Sequence, residues 1–241
     1  MTVLSENHAR DEICRVGKSL FDRGYVHATA GNISVRLGAS EGGGFLITPT
    51  DACLGTLDPA RLARLDSQGV QTSGDRASKT IALHSTIYAA ASAFDTQTRC
   101  VIHTHSSHCV AVTLAAGQGL QDASAAPQGE LLPALTPYFV MKVGHVPVIP
   151  YHRPGDPLAA SRVAEVIAHY GRAGTPVRAV MLERLGPNVW HDSPAAAMAV
   201  LEELEETARL WMLCSATGKP LPTALAPHQI DELRQTFGAR W

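Results

Sequence analysis

Long apolar runs are missing from this chain. No stretch of about 18 consecutive apolar residues occurs, so no transmembrane helix is expected. The first residues also lack the basic, then apolar, then small-residue order of a secretory leader. Charge is sparse and nearly balanced, with 17% charged residues and a net charge of −2. That excludes the basic field needed to hold nucleic acid or an anionic membrane surface. Cysteine is scarce, odd in number and scattered: Cys14, Cys53, Cys100, Cys109 and Cys214, with no CxxC pair. This rules out a disulfide frame and fits small buried residues in a reducing compartment. The expected location is the cytoplasm. Internal repeats, low-complexity tracts and linkers are absent as well.

What is present is a globular composition, 45% hydrophobic over 241 residues. At that length about 70% of the unfolded surface can be buried, so a core needs no covalent staples. Residues 7–24 place Ile13, Val16, Leu20 and Phe21 at helical spacing before Gly24. "AGNISVRLG" and "GGFLITPT" flank Gly42–Gly44 and predict a hairpin. "DPARLARLD" predicts a short helix capped by Asp58, with Pro59 in its first turn. "SKTIALHSTIYAAAS" has helical periodicity, and residues 100–105 read as a strand running into a helix from Ser106 or Ser107. Residues 117–136 have little periodicity and predict a long loop, a feature that is often functional. An extended "HVPVIPY", a turn at "HRPGD" and a helix over 157–170 follow. "RAVMLERLGPNVW" reads as strand, turn, strand. The clearest helix comes next, with Ser193 as cap and Pro194 in its first turn. The sum is a single α/β domain over 1–241 with a mixed sheet and a short helical tail from about 220.

The unusual stretch is "CVIHTHSSHCV", residues 100–110. On a strand, His103 and His105 project to one face, about 7 Å apart along the chain. Two readings are open: hydrogen-bonded core histidines, or two ligands converging on one divalent ion. The polar strand end at Ser106 and Ser107 favours a site, because open α/β sheets place sites at strand ends. His108 is expected to turn into the next helix and to serve as a supporting or interface residue.

Three further polar clusters stand out. In "HATAGNIS", Gly31 permits close backbone approach and the Asn32 amide can donate to a phosphate oxygen. An ordinary turn explains it equally well. "TPTD" offers the hydroxyls of Thr48 and Thr50 around a rigid proline. "ASKT" opens a helix, where Ser78, Lys79 and free backbone N–H groups can hold an anion, and a capping motif explains it well too. Together they favour a phosphorylated or carboxylated substrate near the histidines.

With these motifs in that order, "TAGNISVR", "ITPT", "SK" before a helix and "HTHSSH", the chain resembles the class II aldolase/adducin family over roughly residues 10–215. Longer strings, among them "SGDRASK", "TPYFVMKVGHVPVIPYHRPGD" and "LEELEETA", make it most similar to the family's 3-oxo-tetronate 4-phosphate decarboxylases. The resemblance implies an αβα fold around a central β-sheet and a homotetramer with its site near a subunit boundary. It implies a divalent metal as well, in most members Zn2+. It assigns His103 and His105 to the metal, and Gly31, Asn32, Thr50, Ser78 and Lys79 to the substrate phosphate.

Two positions depart from the family pattern. The catalytic acid that follows the Ser-Lys pair is replaced by Thr80, and the third metal histidine, just before a glycine, by Leu185. Leucine cannot ligate, and threonine is a poor base near neutral pH. Glu183 is a candidate third ligand, with a salt-bridged surface role as the alternative; His145 and His152 are further candidates. Tyr138 is a candidate proton donor, or a packing residue. The implied reaction is metal-dependent decarboxylation of 3-oxo-tetronate 4-phosphate to dihydroxyacetone phosphate and CO2. The alternatives are an aldolase acting on a phosphorylated sugar or sugar acid, and an inactive adducin-like interaction module.

Overall fold

The structure is a computed structural model that describes residues 5–115 and 129–241. Most of the long loop expected over 117–136 therefore lies outside the described residues. Among the described residues, eight strands form one sheet in the order β4-β3-β2-β1-β5-β8-β7-β6. These are β1 (Asn32–Arg36), β2 (Phe45–Ile47), β3 (Ala63–Leu65), β4 (Gln71–Ser73), β5 (Cys100–His103), β6 (Val148–Ile149), β7 (Ala179–Leu182) and β8 (Gly186–His191). Neighbours pair antiparallel except β6 with β7, which makes the sheet mixed as expected.

Alternation along the strands sorts side chains onto two faces. Ile33, Val35, Cys100 and Ile102 join one core with Ile13, Val16, Leu20, Leu201 and Leu204. These last come from α1 (Glu6–Asp22) and α5 (Pro194–Ser215). Val101, Val180 and Trp190 point the other way and pack on Ile87, Tyr88, Val163 and Ile167, from α2 (Ile81–Ser92) and α4 (Pro157–Arg172). Helices thus cover both faces. The cap at Ser193 holds: its side chain accepts from Ala196 N at 3.3 Å. The helical tail is α6 (Pro227–Phe237). No described helix is long and apolar enough to cross a membrane.

Two expectations need correction. The helix read from "DPARLARLD" is a single 3-10 turn, Pro59–Arg61, capped by Asp58, after which the chain becomes β3. Pairing of β3 with both β2 and β4 outweighs the helical propensity of Ala, Arg and Leu. The strand expected over 100–105 stops at His103. Beyond it, β8 comes too close to continue a ladder: a Cβ on Gly186 would lie 1.9 Å from Thr104 O. The chain turns there and enters α3 (Ser107–Ala115).

Candidate metal and phosphate site

His103 closes β5, where register sets it between Asn32 of β1 and Asn188 of β8. Paired residues across a sheet share a face, so all three side chains point toward α2. His103 is 5% exposed, and its Nδ1 lies 3.0 Å from Pro187 O. A carbonyl only accepts, so Nδ1 carries the proton and Nε2 keeps its lone pair free. This is the outer hydrogen bond that orients a ligating imidazole. Although His105 lies beyond the strand, its ring centre is 5.0 Å from that of His103, with an interplanar angle of 66°. Two imidazoles bound at about 2.1 Å to one tetrahedral ion place their ring centres about 5 Å apart. Burial, and then the neighbouring His105, push His103 down to about 4. Burial, and then His27, lower His105. Both rings are therefore neutral near pH 7, the state a ligand requires.

The surroundings are polar and incompletely partnered. Asn32 Oδ1, His84 Nε2 and both amide atoms of Asn188 are buried without a hydrogen-bond partner among the described residues. Ser34, two residues along β1 on the same face, holds the neighbouring group: its Oγ lies 2.7 Å from His84 Nδ1 and 2.9 Å from the Tyr88 hydroxyl. Burial, and then the charge of His103, push His84 down to about 3. The pair His103–His105 and this polar lining fit a divalent ion. A third donor is not in place: among the described residues, no three His, Cys, Asp or Glu side chains gather around one point.

The phosphate-type motifs converge beside the histidines. Gly31 has φ +85, and a Cβ there would sit 2.9 Å from His103 O, so only glycine lets this loop lie on the histidine strand. Ile33 N donates to Thr48 Oγ1 at 3.2 Å. Thr50 N donates to Arg76 O at 2.9 Å, and Ser78 N to Thr48 O at 3.3 Å, which zips "TPT" against "ASK". Ser78 Oγ lies 2.8 Å from Thr80 Oγ1 at the start of α2. Lys79 is exposed, with no carboxylate in salt-bridge range among the described residues. Gly31, Asn32, Thr50, Ser78, Lys79 and Thr80 thus line one end of the sheet with His103.

Other expected residues are placed elsewhere. Glu183 follows β7, in a tight turn where Arg184 has φ 63. Its Oε2 accepts from Tyr151 N at 2.9 Å, on the β6 side of the sheet and away from β5. The structure does not bring it to the histidines. Leu185 packs into the apolar cluster around Ile87 and Leu182. His145 binds Glu130 at 3.0 Å and stacks on Trp241 with ring centres 4.4 Å apart. Tyr138 is 62% exposed, and its hydroxyl makes no hydrogen bond among the described residues. His108 turns into α3, as expected, and its Nδ1 lies 2.8 Å from Glu205 Oε1.

Sequence reading overlooked Glu205, which also accepts from His108 N at 2.9 Å and Cys109 N at 3.1 Å. A buried carboxylate there caps α3 and fixes the exit of the histidine strand. Only its place inside an otherwise apolar helical face could have flagged it. Asn188 was overlooked too; its signal is an amide set between Pro187 and Val189 in a buried stretch of β8.

Residues 11–212 match the class II aldolase and adducin N-terminal domain. The chain belongs to this family. A 3-oxo-tetronate 4-phosphate decarboxylase of Cupriavidus necator is 50% identical over 238 residues, 98% of this chain and 99% of that one. The Escherichia coli K12 protein of the same name is 38% identical over 205 residues, covering 85% of this chain and 86% of its own length. Among solved structures, Escherichia coli YgbL superposes with a TM-score of 0.78 at 36% identity, covering 95% of this chain and 99% of that one. An L-fuculose 1-phosphate aldolase reaches a TM-score of 0.74 at 20% identity over 95% and 96% of the two chains, a likeness of fold.

Proposed function

We propose that the protein is a carbon–carbon lyase that decarboxylates 3-oxo-tetronate 4-phosphate to dihydroxyacetone phosphate and CO2. The observation that carries this reading is the whole-length likeness to decarboxylases of that name, joined to a histidine pair and three phosphate-type motifs at one sheet end. His103 and His105 would hold a divalent ion, Zn2+ being the choice that suits imidazole donors. When bound, such an ion supplies Lewis-acid polarisation of the substrate ketone.

The remaining chemistry falls to the chain. Asn32, Thr50 and Ser78, with the backbone at Gly31, offer donors to the phosphate, and Lys79 adds a point charge. The substrate is a β-keto acid: its C1–C2 bond breaks, the electron pair moves toward the ketone, and CO2 leaves. The resulting enediolate takes one proton at C2. No carbon-bound proton has to be abstracted first, so Thr80 in place of a carboxylate is compatible with decarboxylation and unfavourable for aldol cleavage. Tyr138, 62% exposed, remains the candidate donor of that final proton.

The same reading includes a homotetramer. Leu210 and Leu213 near the end of α5 are 41% and 55% exposed, which leaves apolar surface for another copy to cover. Light scattering at micromolar concentration should give four times the chain mass; a monomer contradicts it.

Two substitutions test the chemistry. Thr80→Glu should bring no gain in CO2 release and lower kcat/KM about tenfold or more, because a new carboxylate repels the substrate's own anions at short range. A large gain in aldehyde release from ketose phosphates would favour the aldolase reading instead. Lys79→Ala should raise KM about five- to tenfold, roughly 1 kcal/mol of anion binding, with little change in kcat. A collapse of kcat at unchanged KM would make Lys79 a catalytic residue.

A further inference from the structure

We infer that His27 is the third imidazole of the metal centre, standing in for the histidine that Leu185 has displaced. This rests on the reading that His103 and His105 hold an ion. Three other candidate donors are held elsewhere: Glu183 by Tyr151 N, His145 by Glu130 and Trp241, and His108 by Glu205. His84 keeps Nε2 without a partner among the described residues, but it is wholly buried with Nδ1 at Ser34 Oγ, and an ion drawn to it would have no position open to substrate.

The ring of His27 lies edge-on to His105, with ring centres 6.4 Å apart. That exceeds the spacing of two imidazoles on one ion by little more than about 1 Å. The side chain is exposed, so a rotamer change is free to close the gap. Its backbone is fixed more firmly. Ala30 N donates to His27 O at 2.9 Å, and Gly31 is pressed against His103 O, so the loop rides on the histidine strand itself. Ala28 has φ 48, a left-handed conformation that residues with a Cβ rarely adopt. Such conformations persist where surrounding structure imposes them, and they gather at sites. Three histidines and an open fourth position make the usual donor set of a catalytic zinc. His27 supplies this set from β1's leading loop, whereas position 185 would have supplied it from the β7–β8 turn.

The test is zinc affinity, by competition with a chromophoric chelator, and the number of imidazoles seen by X-ray absorption at the zinc edge. The proteins are wild type, His27→Gln, Leu185→His and the double variant. Wild type should show three imidazoles. His27→Gln should show two and bind zinc about 100-fold more weakly. The double variant should regain three imidazoles and most of the affinity. Circular dichroism should be unchanged throughout, because both positions lie outside the strands. An affinity within twofold of wild type for His27→Gln, with the imidazole count unchanged, overturns the role of His27 and leaves the histidine pair standing. Wild-type protein that binds no zinc, or binds it equally after His103→Ala, overturns both.

Discussion

His103→Ala should abolish stoichiometric zinc binding and lower kcat/KM by about 10³-fold or more, while the protein stays folded. The first half follows from geometry. His103 is the buried member of the pair, its tautomer set by Pro187 O at 3.0 Å and its other nitrogen free. With His103 removed, the half-buried His105, whose ring centre lies 5.0 Å away, and the exposed His27 lack the one ligand that a backbone carbonyl pre-orients, too little to hold an ion stoichiometrically. The second half follows from hydrogen bonding. Pro187 O also accepts from Thr104 N at 3.2 Å, so it is not orphaned when the imidazole goes. Metal analysis by emission spectroscopy, with a thermal melt on the same sample, checks both halves. Full metal content would place the ion elsewhere. A melt lost along with the metal would make His103 a core residue first.

Gly186→Ala should damage fold and site together. The glycine has φ +143, and an added Cβ would lie 1.9 Å from Thr104 O and 3.1 Å from His105 Cα. The clash is with backbone, so no rotamer relieves it, and β5 and β8 must separate. Overpacking and strain together cost about 4 kcal/mol, which for a chain of this length lowers Tm by roughly 10 °C. Because the displaced atoms belong to Thr104 and His105, zinc affinity should fall as well. Gly24→Ala is the control: it also has positive φ but meets nothing within 4 Å, so it carries the conformational cost without the clash. Equal Tm losses in the two variants would show that the β5–β8 contact is not what matters.

Much of this was legible in the chain. Alternation in "NISVR" and "FLI" around three glycines is a local signal, and the β1–β2 hairpin follows it. The cap and proline at Ser193 and Pro194 mark the start of α5. The order of small-polar motifs led to the phosphate-type end of the sheet. What failed depended on distant partners. Nothing near Leu62 reveals that Arg64 will reach Gly43 O at 2.8 Å and Glu6 at 3.0 Å, contacts that hold β3 as a strand. Nothing near Thr104 reveals that Gly186 will end the strand. Glu205 acts across 97 residues of sequence. His27 stood in plain view in "HATAGNIS", yet its relation to His105 exists only after Asn32 has paired with His103. Glu183 shows the opposite error. A carboxylate two residues from the missing histidine looked suitable, but a tight turn aims it at Tyr151.

The proposed reaction breaks the bond to the substrate's carboxylate. The direct measurement is to incubate the zinc-loaded protein with 3-oxo-tetronate 4-phosphate carrying ¹³C at C1, and to follow labelled CO2 and dihydroxyacetone phosphate by NMR. Equal amounts of the two, both dependent on His103, are the expected result. Release of an aldehyde, or label retained in an unchanged sugar acid while ketose phosphates are cleaved, would contradict it.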